Sequence, residues 1–182
     1  MTRRWFGREA GIVAPELLNK VLRVERDDGV TLGRIIETEA YLPDDPASHT
    51  FNGRTERNHV MFGPAGHLYV YLSYGIHRCA NVVTGPAGSG QAVLLRAVTP
   101  IGGIDLMRTR RGRPDRELSD GPGKLCQALG IDLQHDGVDL LGGSGISIDD
   151  DGLAPPRSPL VGSRIGISKA VDAPLRFRVP LS

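Results

Sequence analysis

Leu68-Tyr69-Val70-Tyr71-Leu72-Ser73 alternates aromatic and aliphatic residues, and Tyr74-Gly75 follows at once. Alternation at period two is the mark of a strand with two different faces. Tyr74-Gly75 can form a two-residue hairpin turn, because glycine tolerates positive φ. Ile76 to Val83 then reads as the returning strand. The same stretch holds three of the chain's four tyrosines, and the fourth, Tyr41, lies shortly upstream. Core-filling rings would be scattered. Clustered rings beside Glu39, His49 and Asn81 point to a pocket that takes something planar.

Working outward, Val30 to Tyr41 reads as a long strand after the Asp28-Gly29 turn, or as two strands in series, and Gln91 to Val98 as another, with Arg96 its only charge. Side chains alternate along a strand, so Glu37, Glu39 and Tyr41 share one face. Helical spacing predicts helices over Ala14 to Leu22, Gly103 to Thr109 and Pro122 to Gly130. Ser163 to Ser168 and Leu175 to Val179 read as short strands, Pro43 to Gly53 and Gly142 to Pro159 as loops, and residues 1–12 as a flexible arm. No internal repeat or linker interrupts the 182 residues, which fits one α+β domain.

Composition narrows the function. Hydrophobic content of 40% and charged content of 24% are ordinary for a globular protein. A net charge of +1 provides no global basic field, so any nucleic-acid contact must come from a local patch. Cys79 and Cys126 stand alone, which fits a reduced cytoplasmic setting without a disulfide framework. No apolar run is long enough for a membrane helix, and Arg3-Arg4 is not followed by the apolar core of a signal peptide. His49, His59, His67 and His77 match no standard zinc spacing. Asp149-Asp150-Asp151-Gly152 lacks the rest of a calcium loop and reads as a solvated turn.

Chemistry gathers on two carboxylates. Either Glu37 or Glu39 could act as a base, and the sequence alone makes them equal rivals. A base would have to lie beside the Tyr41 and Tyr71 rings and be open to a water molecule. Arg96, in an apolar strand, needs a partner, since an unpaired internal charge is costly. Tyr74 at a hairpin tip is exposed by position.

Several blocks together resemble the alkyladenine (3-methyladenine) DNA glycosylase family. They are Gly33-Arg34-Ile35-Ile36-Glu37-Thr38-Glu39-Ala40-Tyr41, the Leu68–Gly75 run, Val93-Leu94-Leu95-Arg96-Ala97, Gly121-Pro122-Gly123-Lys124-Leu125-Cys126-Gln127-Ala128-Leu129, Arg164-Ile165-Gly166-Ile167 and Pro174-Leu175-Arg176-Phe177. They occur in the family's order from about Pro15 to Val179. The resemblance implies a curved, mostly antiparallel, open barrel-like sheet with a few short helices and a protruding hairpin. It favours Glu39 as general base, with Arg96 and the backbone carbonyl of Ile165 completing a water site. Tyr41, His49 and Tyr71 would hold an extruded base, and Asn81 would crowd the 2-amino group of normal guanine. Tyr74 would fill the gap in the duplex, with Ile76 pressing on the neighbouring pair. Arg54, Arg57, Arg108, Arg110, Arg111 and Lys124 are candidate phosphate contacts. The implied partner is double-stranded DNA containing damaged purines, met by a monomer at the nucleoid without metal or organic cofactor. A damage-binding module without catalysis and a metal-dependent hydrolase are the alternatives.

Overall fold

The thirteen residues from Gly29 to Tyr41 form the spine of the protein, described here for residues 1–180 from a computed structural model. Two short helices, α1 (Arg3–Phe6) and α2 (Ala10–Glu16), lead into β1 (Val21–Arg26) and the spine, β2 (Gly29–Tyr41). A 3-10 turn at His59–Phe62 precedes β3 (Leu68–Ser73), β4 (His77–Thr84) and β5 (Gln91–Gly102). Helices α3 (Ile104–Arg111) and α4 (Pro122–Leu129) come next, and then three short strands, β6 (Ile146–Asp149), β7 (Leu160–Gly162) and β8 (Arg176–Arg178). All ladders are antiparallel, along the path β3-β4-β5-β2-β1-β6. One edge of β2 is divided: β1 takes Gly29 to Arg34, and β8 takes Glu37 to Glu39.

This is the single α+β domain expected of a chain without repeat or linker, with the curled antiparallel sheet that the family blocks implied. The curl has local causes. The β2–β5 register slips at three places between Leu32 and Thr38, and bulges of this kind bend and twist a strand. At Gly33 an added Cβ would lie 2.5 Å from Val98, so only glycine lets the two strands approach so closely.

Period two then sorts the residues. Ala40, Leu68, Val70, Ala80, Val82, Val93 and Leu95 point to one side, into a core with Phe6, Val13, Leu17, Leu125 and Leu129. Each large apolar side chain buried there contributes roughly 1.5–3 kcal/mol. Tyr41, Tyr69, Tyr71, Cys79, Asn81, Leu94 and Arg96 alternate with these and face the other way. Helix α4 closes the core. Pro122 fits its first turn, where no amide partner is needed, and Gly130 ends it at φ 80°.

Several expectations are corrected. The segment expected to be helical over 14–22 ends its helix at Glu16 and becomes β1 at Val21. Its apolar residues are buried on every side, so their spacing carries no helical information; Asn19, at φ 69°, makes the break. The segment expected as a flexible arm is docked: Phe6 is fully buried, Arg3 pairs with Asp139, and Gly85 donates to the carbonyls of Phe6 and Arg8. Ser163 to Ser168 is not a strand, and β6 lies within the expected 142–159 loop. Asp150 and Asp151 pair with Lys20 at 2.8 Å and Arg34 at 2.7 Å, which accounts for the acidic run. The hairpin pairs Ser73 with His77, so its connection is three residues long, one more than predicted.

Candidate active site

On β2, Thr38 and Ala40 enter the core, which forces Glu37, Glu39 and Tyr41 to the opposite face. The carboxylate of Glu39 is held at both oxygens. Oε1 accepts the backbone N–H of Ile165 at 2.8 Å and lies 3.2 Å from Nη1 of Arg96, while Oε2 accepts the Tyr41 hydroxyl at 2.9 Å. The side chain is 0% exposed. Burial pushes its pKa above the usual carboxylate range, although Arg96, the Ile165 amide and the Tyr41 hydroxyl all favour the anion. The expectation of a carboxylate open to water is therefore corrected. Tyr41, Arg96 and Ile165, the three groups that touch Glu39, line a cavity of about 780 Å³, and Glu39 stands one layer behind its wall. The contact seen at Ile165 is made by its amide.

Glu37 is separated from Glu39 by the structure. Its Oε1 accepts from Nε of Arg96 at 3.0 Å and from Arg176 at 3.2 Å. It faces a different depression, lined by Val98, Pro100, Asp115 and Ser119.

Across the cavity the His49 and Tyr71 rings meet at 4.4 Å and 75°, an edge-on contact that leaves no space between them. Tyr69 lies beneath, stacked on Tyr71 at 5.4 Å, and its hydroxyl bonds Nδ1 of His49 at 3.0 Å. Burial lowers the pKa of His49, which keeps the ring neutral at pH 7, and raises that of Tyr69 to about 12. Asn81 donates to the Tyr69 carbonyl at 3.2 Å and borders the same space. Tyr41 is braced from behind: the guanidinium of Arg164 lies 4.7 Å from its ring centroid, makes a bidentate pair with Asp45, and donates to the Ala40 carbonyl at 3.1 Å. Arg164 and Asp45 are 0% and 4% exposed. The hairpin tip projects beside the cavity, with Tyr74 83% and Ile76 69% exposed. Tyr74 has φ 50°, a left-handed conformation that costs a non-glycine residue energy.

A family model described as methylpurine-DNA glycosylase (MPG) matches residues 4–182. The chain belongs to the methylpurine-DNA glycosylase family. It is 50% identical to a protein of Burkholderia lata over 99% of this chain and 87% of that one, and 55% identical to one of Nitrosospira multiformis over 94% and 86%. A protein of Carboxydothermus hydrogenoformans is 47% identical over 97% and 93%. All three carry the name "Putative 3-methyladenine DNA glycosylase". The reaction class follows from membership: hydrolysis of an N-glycosyl bond in DNA.

For a DNA glycosylase the cations matter, and the structure divides the six expected ones. Arg57 and Lys124 line the cavity, and Lys124 is paired there with Asp120 at 3.0 Å. Arg57 also donates to the Leu72 carbonyl at 2.7 Å, and its guanidinium lies 5.6 Å from the Tyr71 centroid. Arg54 is exposed. The three arginines of α3 are engaged within the protein: Arg108 with Asp105 and Asp115, Arg110 with Asp28, Arg111 with Gln127 and two backbone carbonyls. Sequence reasoning passed over Lys169 at the cavity rim and Arg78 beside the hairpin tip, both exposed and without an ion pair among the described residues. It also missed the Arg164–Asp45 brace. Among the described residues no three His, Cys, Asp or Glu side chains come together as a metal site would need, and no helix is long and apolar enough to cross a membrane.

Proposed function

We propose that this chain is a monofunctional glycosylase of base excision repair, which extrudes damaged purines from double-stranded DNA and hydrolyses the bond between base and sugar. The observation that carries this reading is the carboxylate of Glu39, bonded to the three groups that line an aromatic cavity. His49 and Tyr71 touch, so they make one wall of a slot and Tyr41 the other. Stacking of this kind contributes roughly 1–3 kcal/mol per base. Once the Tyr41 hydroxyl releases Oε2 and a water enters from the cavity, Glu39 takes a proton from that water as the water oxygen bonds to C1′ of the deoxyribose; the C1′–N bond breaks and the base leaves with the bonding electrons. A carboxylate whose pKa is raised by burial is the stronger base for this step, and its negative charge faces the developing positive sugar. The protein works as a monomer at the nucleoid and needs no metal.

The test is release of free base from duplexes carrying 3-methyladenine, 7-methylguanine, hypoxanthine or ethenoadenine, with chelator present. We expect release of at least one of these; binding without release of any would reduce the protein to a damage-recognition module. Loss of activity in chelator that zinc restores would instead support a metal-dependent hydrolase.

Two substitutions examine the accessory roles. Tyr74→Ala removes the exposed ring that would replace the extruded base in the stack. The extruded fraction, read by a fluorescent base neighbouring the lesion, should fall by about tenfold, given roughly 1–3 kcal/mol per stacked ring. An unchanged fraction removes Tyr74 from that role. Asn81→Ser shortens a side chain that borders the cavity. It should admit purines bearing a 2-amino group, and identical selectivity on guanine-derived lesions would count against Asn81 as the filter.

A further inference from the structure

Glu37 takes no part in the chemistry just described, yet it is the second carboxylate on Arg96. The guanidinium is shared: its Nε edge faces Glu37 at 3.0 Å, and Nη1 faces Glu39 at 3.2 Å. Arginine binds a carboxylate most strongly when two parallel N–H groups meet both oxygens. Glu39 does not receive that fork. One oxygen has a single arginine contact, and the other is left to the Tyr41 hydroxyl. We propose that Glu37 is a positioning residue, which holds Arg96 by its Nε edge and so prevents it from closing bidentately on the catalytic carboxylate.

A fork on Glu39 would stabilise its anion, weaken it as a base and cover the oxygen that must meet a water. The C-terminal strand balances the arrangement. In β8, Arg176 pairs in register with Glu39, and its side chain reaches Glu37 at 3.2 Å. With two cations for two carboxylates, Glu37 can hold Arg96 without drawing it off Glu39. Arg96 from β5, Cys79 from β4, Tyr41 and Glu37 from β2, and Arg164 from the loop surround Glu39; Arg96 and Arg176 face Glu37, whose depression also holds Asp115, Arg116 and Asp120. The negative charge of Glu37 also raises the proton affinity of Glu39.

This inference rests on Glu39 being the base, and the experiment separates the two. Single-turnover release from dimethyl-sulfate-methylated duplex is measured against pH for the wild type, Glu37→Gln, Arg176→Gln and Glu39→Gln. Glu37→Gln should bind DNA as the wild type does and lose about tenfold in maximal rate, with the acid limb of its profile about one pH unit lower, the scale of one charge partner gained. Arg176→Gln should move that limb the other way, because an uncompensated Glu37 pulls Arg96 from Glu39; it gives the same information should Glu37→Gln fail to fold. A merely structural role would lower the amount of active protein and leave both limbs in place. An acid limb unmoved in both variants, beside an inactive Glu39→Gln, overturns the positioning role alone. Continued release by Glu39→Gln overturns the base assignment and this inference together.

Discussion

Glu39→Gln should reduce base release by roughly 10³-fold or more, the scale on which losing a general base and its charge is felt. It should keep its affinity for damaged duplex, because the rings that would hold the base are untouched. The same substitution should raise the thermal midpoint at pH 7. Burial lifts the pKa of Glu39 above its unfolded value, so the folded protein holds the proton more tightly than the unfolded chain does. For an acid shifted in this direction, stability is lost as pH rises through the interval between the two values, and the cost of the buried anion is complete above the folded one. Glutamine keeps the shape, accepts from the Ile165 amide and removes that cost. The advantage of Glu39→Gln in the melting temperature should therefore shrink as pH falls towards the ordinary carboxylate range. Calorimetry at pH 7 and pH 5 reads the trend directly. An equal or lower midpoint for the variant at pH 7 would mean that Arg96 and the Ile165 amide more than repay the desolvation.

The second large effect falls on stability. Arg164→Met leaves Asp45 buried beneath Tyr41 without its cation. Breaking a buried pair from one side costs about 3–5 kcal/mol, because the surviving charge has neither water nor partner. In a domain of this size that lowers the melting temperature by about 10 °C. Urea denaturation supplies the free energy. The double variant Arg164→Met/Asp45→Leu should recover most of it, since well-packed apolar replacements of buried pairs are often neutral. It should not recover tight binding of the base, because Tyr41 has then lost the group that fixes its far face. A double variant as unstable as the single one would locate the loss in packing around Tyr41 instead of in the stranded carboxylate.

What could be read in advance was whatever repeats at short range. The β3–β4 hairpin declared itself through alternation over six residues, and the tyrosines on one face of it stayed on one face when folded. Glu39 and Tyr41 could be placed side by side because two positions on a strand always are. The same periodicity made Glu37 and Glu39 equivalent, and nothing local distinguishes them. The distinction comes from β5 and β8, which bring Arg96 and Arg176 to different sides of the carboxylates. The Arg164–Asp45 brace was invisible for a related reason: its members are distant in the chain, and each by itself looks like a surface residue. The arginines of α3 failed in the opposite sense. Their clustering resembled a basic patch, but the partners that engage them, among them Asp28, Asp115 and Gln127, come from three other segments.

The order in which the pieces are strung has an outcome for the newly made chain. The rings, the hairpin and both glutamates are all synthesised before residue 100, yet the Ile165 amide, the Arg164 brace and the Arg176 counter-charge belong to the final stretch of the domain. A polypeptide still emerging from the ribosome, or one clipped by a protease behind Gly162, would leave Glu39 without the Ile165 amide, Glu37 without Arg176 and Tyr41 without its brace, with Arg96 alone between the two carboxylates. Under the mechanism proposed above, unfinished or broken copies would thus release no base.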